Sequence, residues 1–357
     1  MILTYKIKHN SNFSDELLKA RKVAQYALEH KKSQKLLSSK EVSHIGLKSA
    51  ISCQVLRKYS KNKKLKRIGM VKLTVPNQHI GLNQEARTIK VTCLKLELQY
   101  QFPNTFSKIN QIELDNQYAY VSVTVSEQKQ IEPSGYIGID RNATKHIAVC
   151  SLPTGKILKL GKSSQHIHNK YKHIRKQLQH NGKYKKVKTI KNRESRIVRD
   201  LNHKISSKIV NTAKDGGWGI KLEKLEGIRK TKKQNKSFKG TLHSWSFYQL
   251  QMFLEYKAKL LGVPVEYVNP QYTSQTCSRC GVIGKRTKKE FYCTVCGVVE
   301  HADVNASFNI AKASTIRLES VVKLQVESDI CKGSTDTPKK DMQKLEDCNL
   351  RTPVALA

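Results

Sequence analysis

Four cysteines stand at a spacing that holds a metal ion: Cys277 and Cys280 form one C-x-x-C pair, and Cys293 and Cys296 form a second after twelve residues. A glycine follows each pair, Gly281 and Gly297, so the backbone can turn tightly around the sulfurs. Four thiolates suit the tetrahedral preference of zinc, and a site closed by four protein ligands leaves no place for substrate. The spacing therefore predicts a structural zinc ribbon over residues 277–296. A redox pair fits less well, because Cys53, Cys93 and Cys150 stand singly in apolar runs, as buried thiols do in a reducing compartment.

Three carboxylates form the second candidate. Asp140 ends the apolar run YIGI, Glu223 lies within GIKLEKL, and Asp303 opens VNASFNIA. Taken singly, each has a plain structural role: a turn residue, a surface position on an edge strand and a helix cap. Taken together they follow the strand, strand, helix order by which RNase H-like nucleases bring three acids to one point. Three carboxylates within about 4 Å would repel by roughly 4 kcal/mol per pair at an effective dielectric near 20, so their convergence calls for cations. Hard oxygen ligands select magnesium or manganese, and two such ions can activate a water and stabilise the leaving oxygen in phosphodiester hydrolysis. Asp140, Glu223 and Asp303 are thus the candidate catalytic and magnesium-binding residues. Glu226 faces away from Glu223 in a strand, and Asp200 lies on a basic helix, so both rank below. His301 either touches phosphate or caps the helix of Asp303.

The elements that must position these groups can be read from periodicity. Residues 1–8 alternate in the β manner, Ser14 is placed to cap a helix with Leu17, Ala20, Ala24, Tyr26 and Leu28 on its stripe, and a second helix is expected over 43–58. Strand patterns resume at 68–75, 88–100 and 117–125. In the second of these the apolar phase switches between Cys93 and Leu94, which reads as a β-bulge at a barrel corner. A small β-barrel interrupted by a helical insertion, about residues 11–60, fits this first region. After Pro133, GYIGID, HIAVCSL and KILKL read as an antiparallel meander. Helical patterns follow, the longer with Val187, Ile190, Ile197, Leu201, Ile205 and Ile209 on one stripe until Gly216 and Gly217 stop it. Then come the strand GIKLEKL, a lysine-rich loop at 229–239 that reads as a lid, a helix with Phe247, Leu250, Leu254, Ala258 and Leu261 inward, and the strand VPVEYV. Meander followed by β-α-β is the order of an RNase H-like α/β layer.

Charge narrows the partner. There are 66 Lys and Arg against 28 Asp and Glu, a net +38 that implies a polyanion. Residues 314–357 are charge-balanced, with seven basic and seven acidic residues, so the excess belongs to residues 1–313. The segment RKYSKNKKLKR, 57–67, reads as phosphate-tracking. No apolar run reaches the roughly 18 residues of a membrane span, and the opening MILTYKIKHN lacks the apolar core of a signal peptide, so a soluble intracellular chain is expected. The tail is expected to be disordered.

The pattern resembles the TnpB family, transposon-encoded RNA-guided nucleases related to type V CRISPR effectors. The resemblance rests on GIDRN (138–142), LEKLEGIRK (222–230), the run from Ser244 to Gly281, YCTVCG (292–297) and HADVNASFNIA (301–311). It implies a RuvC-type nuclease domain over 131–313 with Asp140, Glu223 and Asp303 as its acids and the zinc ribbon inserted. It also implies an N-terminal wedge-type β-barrel over 1–130 that holds a guide RNA and reads a short motif beside a double-stranded DNA target. Lys224 departs from the acid or Asn that often follows the family's glutamate, but projects from the other side of the strand. The expected activity is RNA-guided DNA endonuclease, in the cytoplasm and nucleoid of a prokaryotic or viral host. The alternatives are a cleavage-deficient guide-directed DNA-binding regulator, which should have lost acids, an accessory transposition protein, a transposase that joins DNA ends, which should carry a nucleophile or strand-transfer machinery, and a generic RNA-binding protein.

Overall fold

The fold is described from a computed structural model, which describes residues 1–30, 37–62, 65–142, 145–190, 192–225 and 247–315. The expected lid at 229–239, Glu226 and the tail from 316 onward lie outside these residues. The chain forms two compact units, each assembled from three stretches: Met1–Gly135, Ser164–Gly219 and Ser246–Pro264 in the first, and Tyr136–Ser163, Ile220–Trp245 and Val265–Ala357 in the second. The sequence reading places boundaries near residues 130 and 313.

The first unit opens with β1 (Ile2–Lys8), α1 (Ser14–Glu29) and α2 (Ser49–Ser60), followed by β2 (Leu73–Pro76), β3 (Ile80–Asn83), β4 (Thr88–Val91), β5 (Leu96–Gln99), β6 (Phe106–Leu114) and β7 (Tyr118–Val125). A four-stranded sheet has the order β1-β7-β6-β2 with antiparallel pairs, and β3-β4-β5 form a separate three-stranded sheet. One apolar core joins them: Val23, Ala24 and Ala27 of α1, Ile51 and Val55 of α2, and Leu73, Ile89, Ile112, Val121 and Val123 from the strands. The helices do interrupt the β region, as the pattern implies, with three corrections. The first helical residue is Ser14 itself, whose N–H donates to Asn12 Oδ1 at 3.0 Å, so Asn12 supplies the capping oxygen. The second helix starts at Ser49, because Gly46 takes a left-handed conformation (φ 73°) that ends a short turn at Ser43–Ile45. The phase switch near Cys93 is a chain reversal and no bulge: β4 pairs with β5, Val91 opposite Leu96, and Lys95 (φ 50°) turns the corner.

Later stretches of this unit are helical: α3 (Ser163–His180), α4 (Tyr184–Ile190), α5 (Arg193–Gly216) and α6 (Phe247–Leu261). The longer helix of the sequence reading is two, α4 and α5, because the apolar period runs on in phase across a break before Arg193. Ile205 and Ile209 are buried, whereas Ile197 is 39 % exposed. Gly217 ends α5 in the left-handed conformation (φ 65°), as expected of a C-terminal glycine. Leu250, Leu254 and Ala258 of α6 are fully buried.

In the second unit, β8 (Tyr136–Arg141), β9 (Ala148–Ser151), β10 (Ile157–Leu160), β11 (Gly219–Glu223) and β12 (Val265–Val268) form one sheet of order β10-β9-β8-β11-β12. The first three are the antiparallel meander, and β11 and β12 run parallel. β13 (Lys285–Thr287), β14 (Glu290–Tyr292) and β15 (Val299–His301) form a small antiparallel sheet that leads straight into α7 (Ala302–Lys312). That helix lies directly on β8. At Gly138 a Cβ would come within 2.0 Å of Ser307 O and 2.5 Å of Ala311 N, so only glycine admits the approach.

Candidate active site and metal centre

Asp140 is carried near the end of β8, Glu223 ends the neighbouring strand β11, and Asp303 stands in the first turn of α7, whose close packing on Gly138 sets its distance from β8. Asp303, 3 % exposed, and Glu223, 8 % exposed, are buried, and Asp140 is half-buried. Burial first, then the charges of Glu223 and Asp303, pushes the Asp140 carboxyl up to about 7. Asp140 is thus within electrostatic reach of both other acids. Glu223 is raised by burial, while the Thr273 hydroxyl, which donates to Oε1 at 2.5 Å, and the guanidinium groups of Arg141 and Arg286 act against the shift.

Several residues that the sequence reading did not single out complete the cluster. Asn142 Nδ2 donates to Asp140 Oδ2 at 3.0 Å. The Lys289 ammonium donates to Asp303 at 2.7 and 2.9 Å and to Asn142 Oδ1 at 3.4 Å. Arg286 stands 3.8 Å from Asp303. Thr273 belongs to the segment after β12, and Arg286 and Lys289 to the ribbon. The only hint of the latter pair in the sequence is the basic run KRTKK between the two cysteine pairs. His301 resolves as a cap: its Nδ1 accepts from the Asp303 N–H at 3.3 Å. Burial, ahead of the lysines around it, holds this imidazole below its ordinary value and keeps it a neutral acceptor near pH 7, although the charge of Asp303 pulls the other way. Asp200 is 64 % exposed and pairs with Lys204 on α5, away from any such cluster.

The ribbon is the second site. Among the described residues, Cys277, Cys280, Cys293 and Cys296 form the group able to hold one metal ion, their sulfurs lying within 4.8 Å of one another. The three carboxylates do not close into a comparable cage. Cys293 is buried, and the backbone N–H of Cys296 directed at its sulfur helps bring the thiol down to about 6. Gly281 and Gly297 are left-handed (φ 77° and 71°), and their N–H groups donate to Cys277 O and Cys293 O, closing each knuckle. Phe291, fully buried with Cys277, Cys293 and Ala302, is the ribbon's apolar centre.

Comparison with known proteins adds a second line of observation. Residues 247–310 match the model of the Cas12f1-like TNB domain family. A TnpB-like protein of Methanocaldococcus jannaschii is 37 % identical over 164 residues, 44 % of this chain and 58 % of that protein. The chain is related to the TnpB-like and Cas12f proteins. A CRISPR-associated endodeoxyribonuclease Cas12f1 of Sulfoacidibacillus thermotolerans is 39 % identical over 137 residues, 36 % of this chain and 31 % of that protein. The matched region is thus less than two thirds of the length of either relative. In fold, the chain aligns with the protein of a Cas12f1–sgRNA–target DNA complex at a TM-score of 0.60 and 16 % identity, covering 85 % of this chain and 82 % of the other. The fold is therefore the mixed α/β fold of such effectors. Among the described residues no helix is long and apolar enough to cross a membrane.

Proposed function

We propose that this chain is an RNA-guided DNA endonuclease that cleaves at a RuvC-type Asp140, Glu223, Asp303 site. One observation carries the reading: two buried acids, Glu223 and Asp303, flank a half-buried third, Asp140, on two adjacent strands and one helix, and Asp140 is raised to about 7 by desolvation and by the charges of both neighbours. A structural role gives no reason to gather three acids in so little water, whereas metal-assisted phosphoryl chemistry requires it. The acids fit magnesium or manganese in donor type, and the Lys289 ammonium now held by Asp303 marks a place where a cation is accepted. Such an ion, when bound, would supply the Lewis acid for phosphodiester hydrolysis. The residues of this chain do the rest. Asn142 orients Asp140, Thr273 orients Glu223, and His301 fixes the first turn of α7 so that the Asp303 carboxylate faces the sheet.

On this reading the ribbon carries structural zinc on its four cysteines, and residues 131–313 make up a RuvC-like domain. The two sheets and paired helices of the first 130 residues, which share one core, act as the wedge that holds guide RNA. The net charge of +38 supplies the sequence-independent attraction for RNA and target DNA. The test is cleavage of DNA matching the RNA that co-purifies with the protein. Wild type should cut only with magnesium or manganese, and Asp140→Ala should not. Wild-type protein with RNA and metal that leaves matched DNA intact, or Asp140→Ala that cuts normally, refutes the proposal.

A further inference from the structure

Lys289 sits in the two-residue turn between β13 and β14, where Lys288 takes a left-handed conformation (φ 52°). Its backbone is pinned, since Lys289 O accepts from the N–H of Ala302, the residue that opens α7. Its side chain lies across the acids: Oδ1 and Oδ2 of Asp303 and Oδ1 of Asn142 take one contact each, and an ammonium has three hydrogens. Asn142 passes the contact on, because its amide donates to Asp140 Oδ2. A single positive charge therefore ties two of the three acids together and engages both oxygens of Asp303.

We propose that Lys289 is a built-in counter-cation of the acid cluster, which a divalent metal must displace in order to bind. This rests on the metal-site reading given above and adds its regulation. Magnesium or manganese needs a carboxylate oxygen at about 2.0–2.2 Å, and an ammonium bound to both oxygens of the same carboxylate would stand against a dication at close range. The two cations exclude each other at Asp303. Because the backbone of Lys289 is tied to α7, the exchange is a swing of the side chain out of the cluster. Metal occupancy and the Lys289 side-chain conformation are consequently linked, and whatever draws that side chain away, such as a phosphate of a bound strand, favours metal entry. The device ties Asp303 to Asp140 without metal and sets a threshold for loading.

Manganese binding to the full-length, zinc-loaded protein, measured by titration calorimetry, tests this. Wild type should bind manganese at a site lost in Asp140→Asn. Lys289→Met should bind about tenfold more tightly, as removal of one competing positive charge at contact distance implies. Lys289→Arg, which keeps the charge, should stay near wild type. Zinc content and melting temperature report whether each variant is folded, and Lys289→Gln, which keeps a polar contact to Asn142, replaces Lys289→Met if the latter loses zinc. Affinity that is unchanged or weaker in the neutral variant, with binding still dependent on Asp140, overturns the exchange alone. Binding that ignores Asp140, or no binding at all, overturns the metal-site reading and the exchange with it.

Discussion

Replacing Asp140 by Asn should flatten a pH dependence of stability that the acid cluster builds into the protein. In the folded chain the Asp140 carboxyl is pushed from 3.8 up to about 7, so the native state keeps its proton to higher pH than the unfolded chain does. The contribution to stability is complete below the unfolded value and is lost as pH rises to about 7, beyond which it is constant. Each pH unit in that window corresponds to 1.36 kcal/mol, so a rise from about pH 5.5 to 7 should cost wild type about 2 kcal/mol relative to Asp140→Asn. For a domain of 150–250 residues this is a relative shift in melting temperature of about 4–8 °C. The assay is urea or thermal unfolding of both proteins across that range with zinc retained and no magnesium or manganese present. Addition of manganese should reverse the order at high pH, because the ion binds the ionised wild-type site and lifts its stability. A difference between the two proteins that stays level with pH would mean that burial and the two neighbouring acids do not hold the Asp140 carboxyl raised.

Further outcomes follow from individual contacts. Gly138→Ala should destabilise the protein by about 1–3 kcal/mol and reduce cleavage, since the clashing atoms are backbone atoms of α7 and the helix carrying Asp303 must shift; Gly69→Ala, with nothing within 4 Å, should be near neutral. Melting curves of the two side by side decide it. Cys293→Ser should release the metal and unfold the ribbon, seen as loss of zinc and new proteolysis between residues 277 and 301, because structural zinc contributes on the order of 10 kcal/mol to small domains. Thr273→Val removes the hydroxyl that holds Glu223 Oε1 and should cost about 1–3 kcal/mol, with a weaker response of stability to manganese.

The ribbon was legible because thiolate pairs at this spacing have few other uses, and the structure brings the four sulfurs together. The acids were legible as a set because each interrupts an apolar run at the end of an element, although no single one stood out. Lys289 was not, because a lysine in a basic hairpin has no pattern of its own; only the fold of the turn onto α7 distinguishes it from its neighbours Lys288 and Lys285. Parity explains the misread strand. A bulge and a reversal both flip the face on which apolar residues fall, and Cys93 and Leu94 in the turn are apolar enough to hide the corner. Similarly, α4 and α5 share one apolar phase, so periodicity alone cannot register the break between them.

The threading of the chain also has a consequence in time. Asp140 lies in the first stretch of its compact unit and Asp303 in the last, and the chain leaves that unit twice in between to complete the other. During synthesis at about 5–20 residues per second, the roughly 160 residues that separate them take about 8–30 s to emerge. For that interval a nascent chain can already hold the N-terminal sheets, whose strands end by Val125, yet has no acid cluster. The last acid arrives only after the cysteine knuckles and Lys289 have been made. A translating ribosome therefore completes the N-terminal sheets first and the acid cluster last, with Lys289 already in place beside it.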